Sequence, residues 1–166
     1  MDRTLENKII DNMKQYFEND KKYIDHALKV LEYTKEILKQ EKGDSKIVFP
    51  AAILHDIGIR VCKKKYNSTG GQLQEIEGPP IARKMLNKLE VDNKIIDEVC
   101  GIIASHHSPG EINTINFKIL WDSDWLVNLR DEHNIKDKKN LEKVINKIFL
   151  TRTGKNLGKS IYLIQG

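Results

Sequence analysis

Apolar residues recur every three or four positions along nearly the whole of this 166-residue chain. That spacing is the period of an amphipathic α-helix, and no segment shows the strict alternation of a half-buried strand. Leu5, Ile9, Met13 and Phe17 form a first stripe, and Thr4 is placed to cap its start. Ala27, Val30, Leu31, Thr34, Ile37 and Leu38 form a second, in a helix expected to end at Gly43. Asp44 or Ser45 caps the next run, where Pro50 predicts a kink or a late start. The stretch VCKKKYNSTGGQLQ, residues 61–74, is polar and without period and reads as a loop long enough to carry function. Pro79 and Pro80 then read as the first positions of a helix, where a missing N–H matters least. Ile95/Ile96, Val99 and Ile102/Ile103 continue the pattern until Pro109 and Gly110 break it. NFKILWDSDWLVNLRDEH, KNLEKVINKIFL and NLGKSIYLI complete the helical series. The expectation is an all-α, single-domain helical bundle over residues 1–166, with about seven or eight helices. Its core spans about 20–131, and C-terminal helices at 136–163 pack on it.

Composition removes several classes of function. No run approaches the ~20 apolar residues that span a membrane, and the N-terminus shows no signal peptide. Cys62 and Cys100 form no CxxC pair and read as reduced thiols of a cytoplasmic protein. The net charge of +4 is too mild to mark a nucleic-acid partner, and no helix interleaves basic with aromatic residues. It is compatible with small phosphorylated anions.

The informative residues are polar ones on apolar stripes. His26 is four before Val30, and His55 follows Ala52 by three. Asp56 follows Ala52 by four, His106 follows Ile103 by three and His107 follows it by four. Asp124 is four after Leu120 and three before Val127. Residues at these spacings share a helix face, so four of the five histidines and two aspartates point at or beside the core. A lone core histidine is usually satisfied by a backbone carbonyl. Several imidazoles and carboxylates converging on one interior are more readily satisfied together, by a divalent cation. Helical bundles build such sites from facing side chains, and the cysteines are too few for a zinc-finger pattern. His133, in RDEHNIK, reads as a solvated surface residue.

The combination His26 … His55-Asp56 … Asp124, with the segment LHDIG, resembles the HD-domain superfamily of metal-dependent phosphohydrolases. The likeness extends from about His26 to Arg130. It implies an all-helical fold and a divalent metal (Mn, Fe, Co, Ni or Zn) held by His26, His55, Asp56 and Asp124. The last position has two candidates, Asp122 and Asp124. The frame Asp124-Trp125-Leu126 followed by Asn128-Leu129-Arg130 resembles the family's closing motif and favours Asp124. Members with two metals carry an extra histidine and a later histidine pair. His106-His107 supplies the pair, while Glu77 or Glu75 stands near the place of the extra histidine. A second metal or the substrate phosphate is therefore expected at Glu77, His106 and His107, with Asp56 the catalytic carboxylate that would bridge two ions. Many relatives carry Lys directly after the HDIG glycine, and here Ile59 precedes Arg60. Phosphate contact is expected from Arg60, Lys64 or Lys65. Lys63, the NSTGG loop, Arg83, Lys84 and Arg130 are further options.

The resemblance implies a hydrolase of phosphate mono- or diesters of a small, nucleotide-like substrate. Two other classes remain open at this point. One is a di-iron HD-type oxygenase, which oxygen consumption with an organic substrate would reveal. The other is a non-catalytic module that binds a nucleotide or a metal, which binding without turnover would reveal. Sequence leaves the substrate, the metal and the oligomeric state unspecified.

Overall fold

The computed structural model describes residues 1–108 and 110–164. They form α1 (Arg3–Phe17), α2 (Lys21–Leu38), α3 (Ser45–Leu54), α4 (Ile59–Tyr66) and α5 (Gly71–Lys88). These are followed by α6 (Asn93–Ile103), α7 (Ile115–Glu132), α8 (Lys138–Ile148), α9 (Arg152–Lys159) and a π-helical turn at Ser160–Ile164. No strand occurs among the described residues, and none of their helices is long and apolar enough to cross a membrane.

α3 is the hub, packed against α1, α2, α6 and α7. Such a position leaves no face for water, and Ile47, Val48, Ala51, Ala52, Ile53 and Leu54 are all buried. The main core gathers residues of α1, α2, α3, α5 and α6 with Phe117 and Leu120 of α7. A second core lies on the other side of α7, where Ile119, Leu126 and Leu129 meet Leu141, Ile145, Phe149 and Tyr162. α7 therefore serves two cores, which leaves its apolar residues spread around the helix and not in one stripe. Cys62 and Cys100 are buried free thiols.

Local chemistry explains where the elements depart from the sequence expectations. α1 is capped by Asp2, whose carboxylate accepts from Thr4 N, and not by Thr4 itself. α2 ends at Leu38, so Gly43 is not its terminator. Gly43 instead allows a close pass: a Cβ there would lie 3.2 Å from Asn116 Oδ1 and 3.0 Å from Leu38 Cδ1. α3 starts at Ser45 with Asp44 as its N-cap, and Pro50 lies inside it. The segment expected as one loop holds α4 and the first turn of α5. Only residues 67–70 separate them, with Asn67 closing α4 in the left-handed conformation. Pro79 and Pro80 fall in the interior of α5 and do not begin it. The turns before them are held from outside. Gln74 Nε2 donates to Thr69 O, Glu75 binds the segment after α6, and Gly58 abuts the α5 backbone. Tertiary contact therefore extends the helix backwards past two prolines. The expected break at Pro109 lies outside the described residues, and Gly110 beside it has φ +51°.

Candidate metal centre

His55 and Asp56 stand at the end of α3, where the chain turns through Ile57 and Gly58 into α4. His55 Nδ1 lies 2.9 Å from Ala52 O, one turn earlier. A carbonyl only accepts, so Nδ1 carries the hydrogen and Nε2 is the nitrogen turned toward the cluster. His106 repeats the device at the end of α6, with Nδ1 2.6 Å from Ile103 O. This backbone hydrogen bond orients an imidazole as it does in metal ligands generally.

Four side chains meet at one point. His26 Nε2 of α2 is 3.1 Å from His55 Nε2 and 3.0 Å from Asp124 Oδ1 of α7. His26 Nε2 is also 3.6 Å from Asp56 Oδ2. His55 Nε2 is 3.5 Å from both Asp56 Oδ2 and Asp124 Oδ1. Ligand bonds of about 2.1 Å imply ligand–ligand separations of about 3.0–3.5 Å. The observed separations match the edges of a polyhedron around one small cation. Asp56 turns its other oxygen away from this group: Oδ1 is 3.5 Å from His106 Nε2. Asp56, His106 and His107 form a second group of donors within 4.8 Å of one another, as His26, His55 and Asp124 form a first.

The electrostatics of the four agree with a cation. Burial opposes charge on His55, but Asp56 and Asp124 outweigh it and raise the imidazole's pKa to about 9. Burial pushes the Asp56 carboxyl up, while His55 and His106 draw it down to about 2. Burial acts the same way on Asp124, and the hydrogen bonds from His26 and His55 hold it far below the carboxylate range. Two carboxylates thus stay ionised in a buried place, with protonated imidazole standing where a divalent cation would neutralise them. His107 moves the opposite way: burial and the neighbouring His106 lower its pKa.

The other expected residues are sorted by the structure. Asp122 does not join the cluster. Its carboxylate accepts from Leu150 N, Thr151 N and Thr151 Oγ, each at 2.7 Å, and so ties α7 to the start of α9. Glu77 is not among the gathered donors: Lys65 at 2.8 Å and Tyr66 at 2.6 Å donate to it. Glu75, its alternative, faces the histidine pair but is engaged by His107 N, Ser108 N and Ser108 Oγ. Those donors outweigh burial and lower its pKa. Arg60 points to the end of α1, bonding Tyr16 O and pairing with Glu18 at 2.7 Å. Lys63 pairs with Asp20 at 3.4 Å, and Lys64 is exposed. None of Arg60, Lys63, Lys64 or Lys65 lines the cleft over the cluster.

That cleft has a volume of about 340 Å³ and is lined by Lys22, Tyr23, Gln74 and Asn128 together with His26, Asp56, His107 and Asp124. A neighbouring recess of about 210 Å³ reaches Trp121 and Trp125. Asn128 donates to Asp124 Oδ1 at 2.9 Å and fixes that carboxylate. Sequence reasoning missed Lys22, Gln74 and the two tryptophans. Asn128, one turn after Asp124, was visible only as part of the Asn-Leu-Arg run.

A helical fold with His26, His55-Asp56 and Asp124 converging on one point describes a class of protein. The HD domain family matches residues 23–148, and the chain belongs to that family. The crystal structure of a predicted HD superfamily hydrolase from an uncultured Thermotogales bacterium is similar, with a TM-score of 0.71 and 25% sequence identity. The match covers 96% of this chain and 86% of that one. No curated protein matches the chain. The expected all-α, HD-type architecture is therefore the observed one.

Proposed function

We propose that this protein is a metal-dependent phosphohydrolase acting on a phosphate mono- or diester of a small, nucleotide-like molecule. The observation that carries the reading is the Asp56 carboxylate, with one oxygen toward His26 and His55 and the other toward His106. His26, His55, Asp56 and Asp124 would hold the first divalent ion, with Asp56 able to bridge to a second. Such an ion supplies Lewis acidity at a phosphoryl oxygen and a water of lowered pKa.

The remaining work falls to the chain itself. Ala52 O and Ile103 O fix the two buried imidazoles with Nε2 inward. Asn128 holds Asp124 in place through Oδ1. Lys22, on the wall of the cleft, offers a cation to a phosphate in place of the Arg60–Lys65 segment. Trp121 and Trp125, with ring centroids 6.1 Å apart and planes tilted by 53°, give two apolar ring surfaces, either of which a nucleobase could stack on. His107, exposed at the cleft with its pKa lowered by burial and His106, offers a neutral ring nitrogen to the substrate or to a second ion.

The test is a screen of phosphate mono- and diesters, including nucleotides, with Mn²⁺, Fe²⁺, Co²⁺, Ni²⁺ or Zn²⁺. Turnover is expected with at least one metal and is expected to vanish in His55→Ala and Asp56→Ala. Turnover that persists in those variants with no metal bound overturns the assignment. Oxygen consumption with an organic substrate and no phosphate release would replace it by the oxygenase.

A further inference from the structure

Among the described residues, two buried side-chain polar atoms have no hydrogen-bond partner: Gln74 Oε1 and His106 Nε2. Gln74 belongs to the wall of the cleft, and His106 to the adjoining recess that shares His107 and Asp124 with it. Gln74 lines the cleft together with Asp56 and His107. Its backbone abuts Gly58, two residues beyond Asp56, since a Cβ on Gly58 would fall 2.9 Å from Gln74 O. One turn earlier on α5, Gly71 lies against the His107 ring, whose Cγ would be 2.6 Å from an added Cβ. The first turns of α5 are thus packed between the turn after α3 and His107.

The orientation of Gln74 is fixed. Nε2 donates to Thr69 O at 2.8 Å, so the amide oxygen is the free end, and the side chain is only 4% exposed. His106 is fixed in the same sense, because its Nδ1 hydrogen goes to Ile103 O. His106 Nε2 is thereby turned to Asp56 Oδ1, 3.5 Å away, and Gln74 Oε1 is a buried acceptor on a residue that lines the cleft with Asp56 and His107. A buried acceptor without a partner is costly, and a set of them is satisfied at once by a cation. Neither glutamate nearby can fill the gap: Glu77 is held by Lys65 and Tyr66, and Glu75 by the 107–108 backbone.

We infer that Gln74 supplies a neutral amide-oxygen ligand to a second divalent ion, completing a set with Asp56 Oδ1, His106 Nε2 and His107. The inference rests on the metal-dependent reading above and adds to it the ligand that sequence had sought at Glu77. An uncharged oxygen in place of a carboxylate removes one negative charge from the set. The second ion is consequently the weaker one, loading after the first, in a site of two oxygen and two imidazole donors that admits Mn²⁺.

Calorimetric titration of the metal-free protein with Mn²⁺ alone, with metal content measured after gel filtration, tests this without any substrate. The wild type is expected to take up two equivalents in two steps. Gln74→Ala should weaken the second step at least tenfold and leave the first within twofold. Gln74→Glu, nearly isosteric, should strengthen the second step at least tenfold, and it carries the test should the alanine variant not fold. Two unchanged steps in both variants, or one equivalent in the wild type, overturn the role of Gln74 and leave the first site standing. No uptake by the wild type overturns the metal-dependent reading itself.

Discussion

Gly58→Ala puts the packing beneath the site to a quantitative test. Gly58 has φ −69°, a conformation open to any residue, so it is not required for backbone freedom. It is required for space. A methyl group there would sit 2.9 Å from Gln74 O, 2.9 Å from Gly78 N and 3.2 Å from Gln74 Cα, where ordinary contact begins near 3.4 Å. All three are backbone atoms of α5, so the helix itself must retreat by about half an ångström. Overpacking of this kind costs about 1–3 kcal/mol, and backbone neighbours put it near the upper end. The stiffer unfolded chain returns about 0.4–1 kcal/mol. A net loss of about 2 kcal/mol remains. In a chain of this size each kcal/mol moves Tm by about 2–4 °C, so Tm should fall by about 4–8 °C. Gly101 supplies the control, since it lies exposed in α6 with nothing within 4 Å of an added Cβ. There the same change relieves a helix-interior glycine of about 1 kcal/mol, and Tm should rise by about 2–4 °C. Thermal melts of the two metal-free variants measure both. Shifts of the same sign, or a Gly58→Ala protein melting within about 1 °C of wild type, refute the argument from close approach.

Asp122 and Asp124 should separate cleanly. Asp122→Ala strands Leu150 N and Thr151 N, each worth about 1–3 kcal/mol when left unpartnered, so it should lower Tm while metal content is kept. Asp124→Ala should instead empty the first site, as elemental analysis would read. Metal affinity should follow pH through His55, whose pKa stands at about 9. Below that value a proton occupies Nε2 and must leave when metal binds, so the association constant should rise about tenfold per pH unit from 7 and level off above 9. Chelator competition across that range checks it, and a flat profile contradicts the protonated cluster. Glu75→Ala removes the acceptor that gathers His107 N, Ser108 N and Ser108 Oγ. It should raise amide exchange in the turn holding the histidine pair and weaken the second metal step without emptying the first.

The sequence by itself determined the helices and which polar residues lie at or beside their dry faces. Apolar stripes of period 3.6 can only be buried helix against helix, and His26, His55, Asp56 and Asp124 lie on or beside such stripes, while their grouping as one set came from the likeness to a family. The stripe relations run along single helices, over three or four residues, and local spacing encodes them fully. What it could not encode were partners far apart in the chain. Glu77 and Glu75 are two residues apart, on different sides of α5, and only packing assigned one to Lys65 and the other to the turn after α6. Arg60 and the lysines looked free until α1 and α2 placed Glu18 and Asp20 beside them. Gln74 carries no charge and no motif, and it became conspicuous only when burial removed the water from its amide oxygen. Tertiary structure decided these because charges and hydrogen bonds are settled by whichever group arrives from a distance, while periodicity records only which side of a helix is dry.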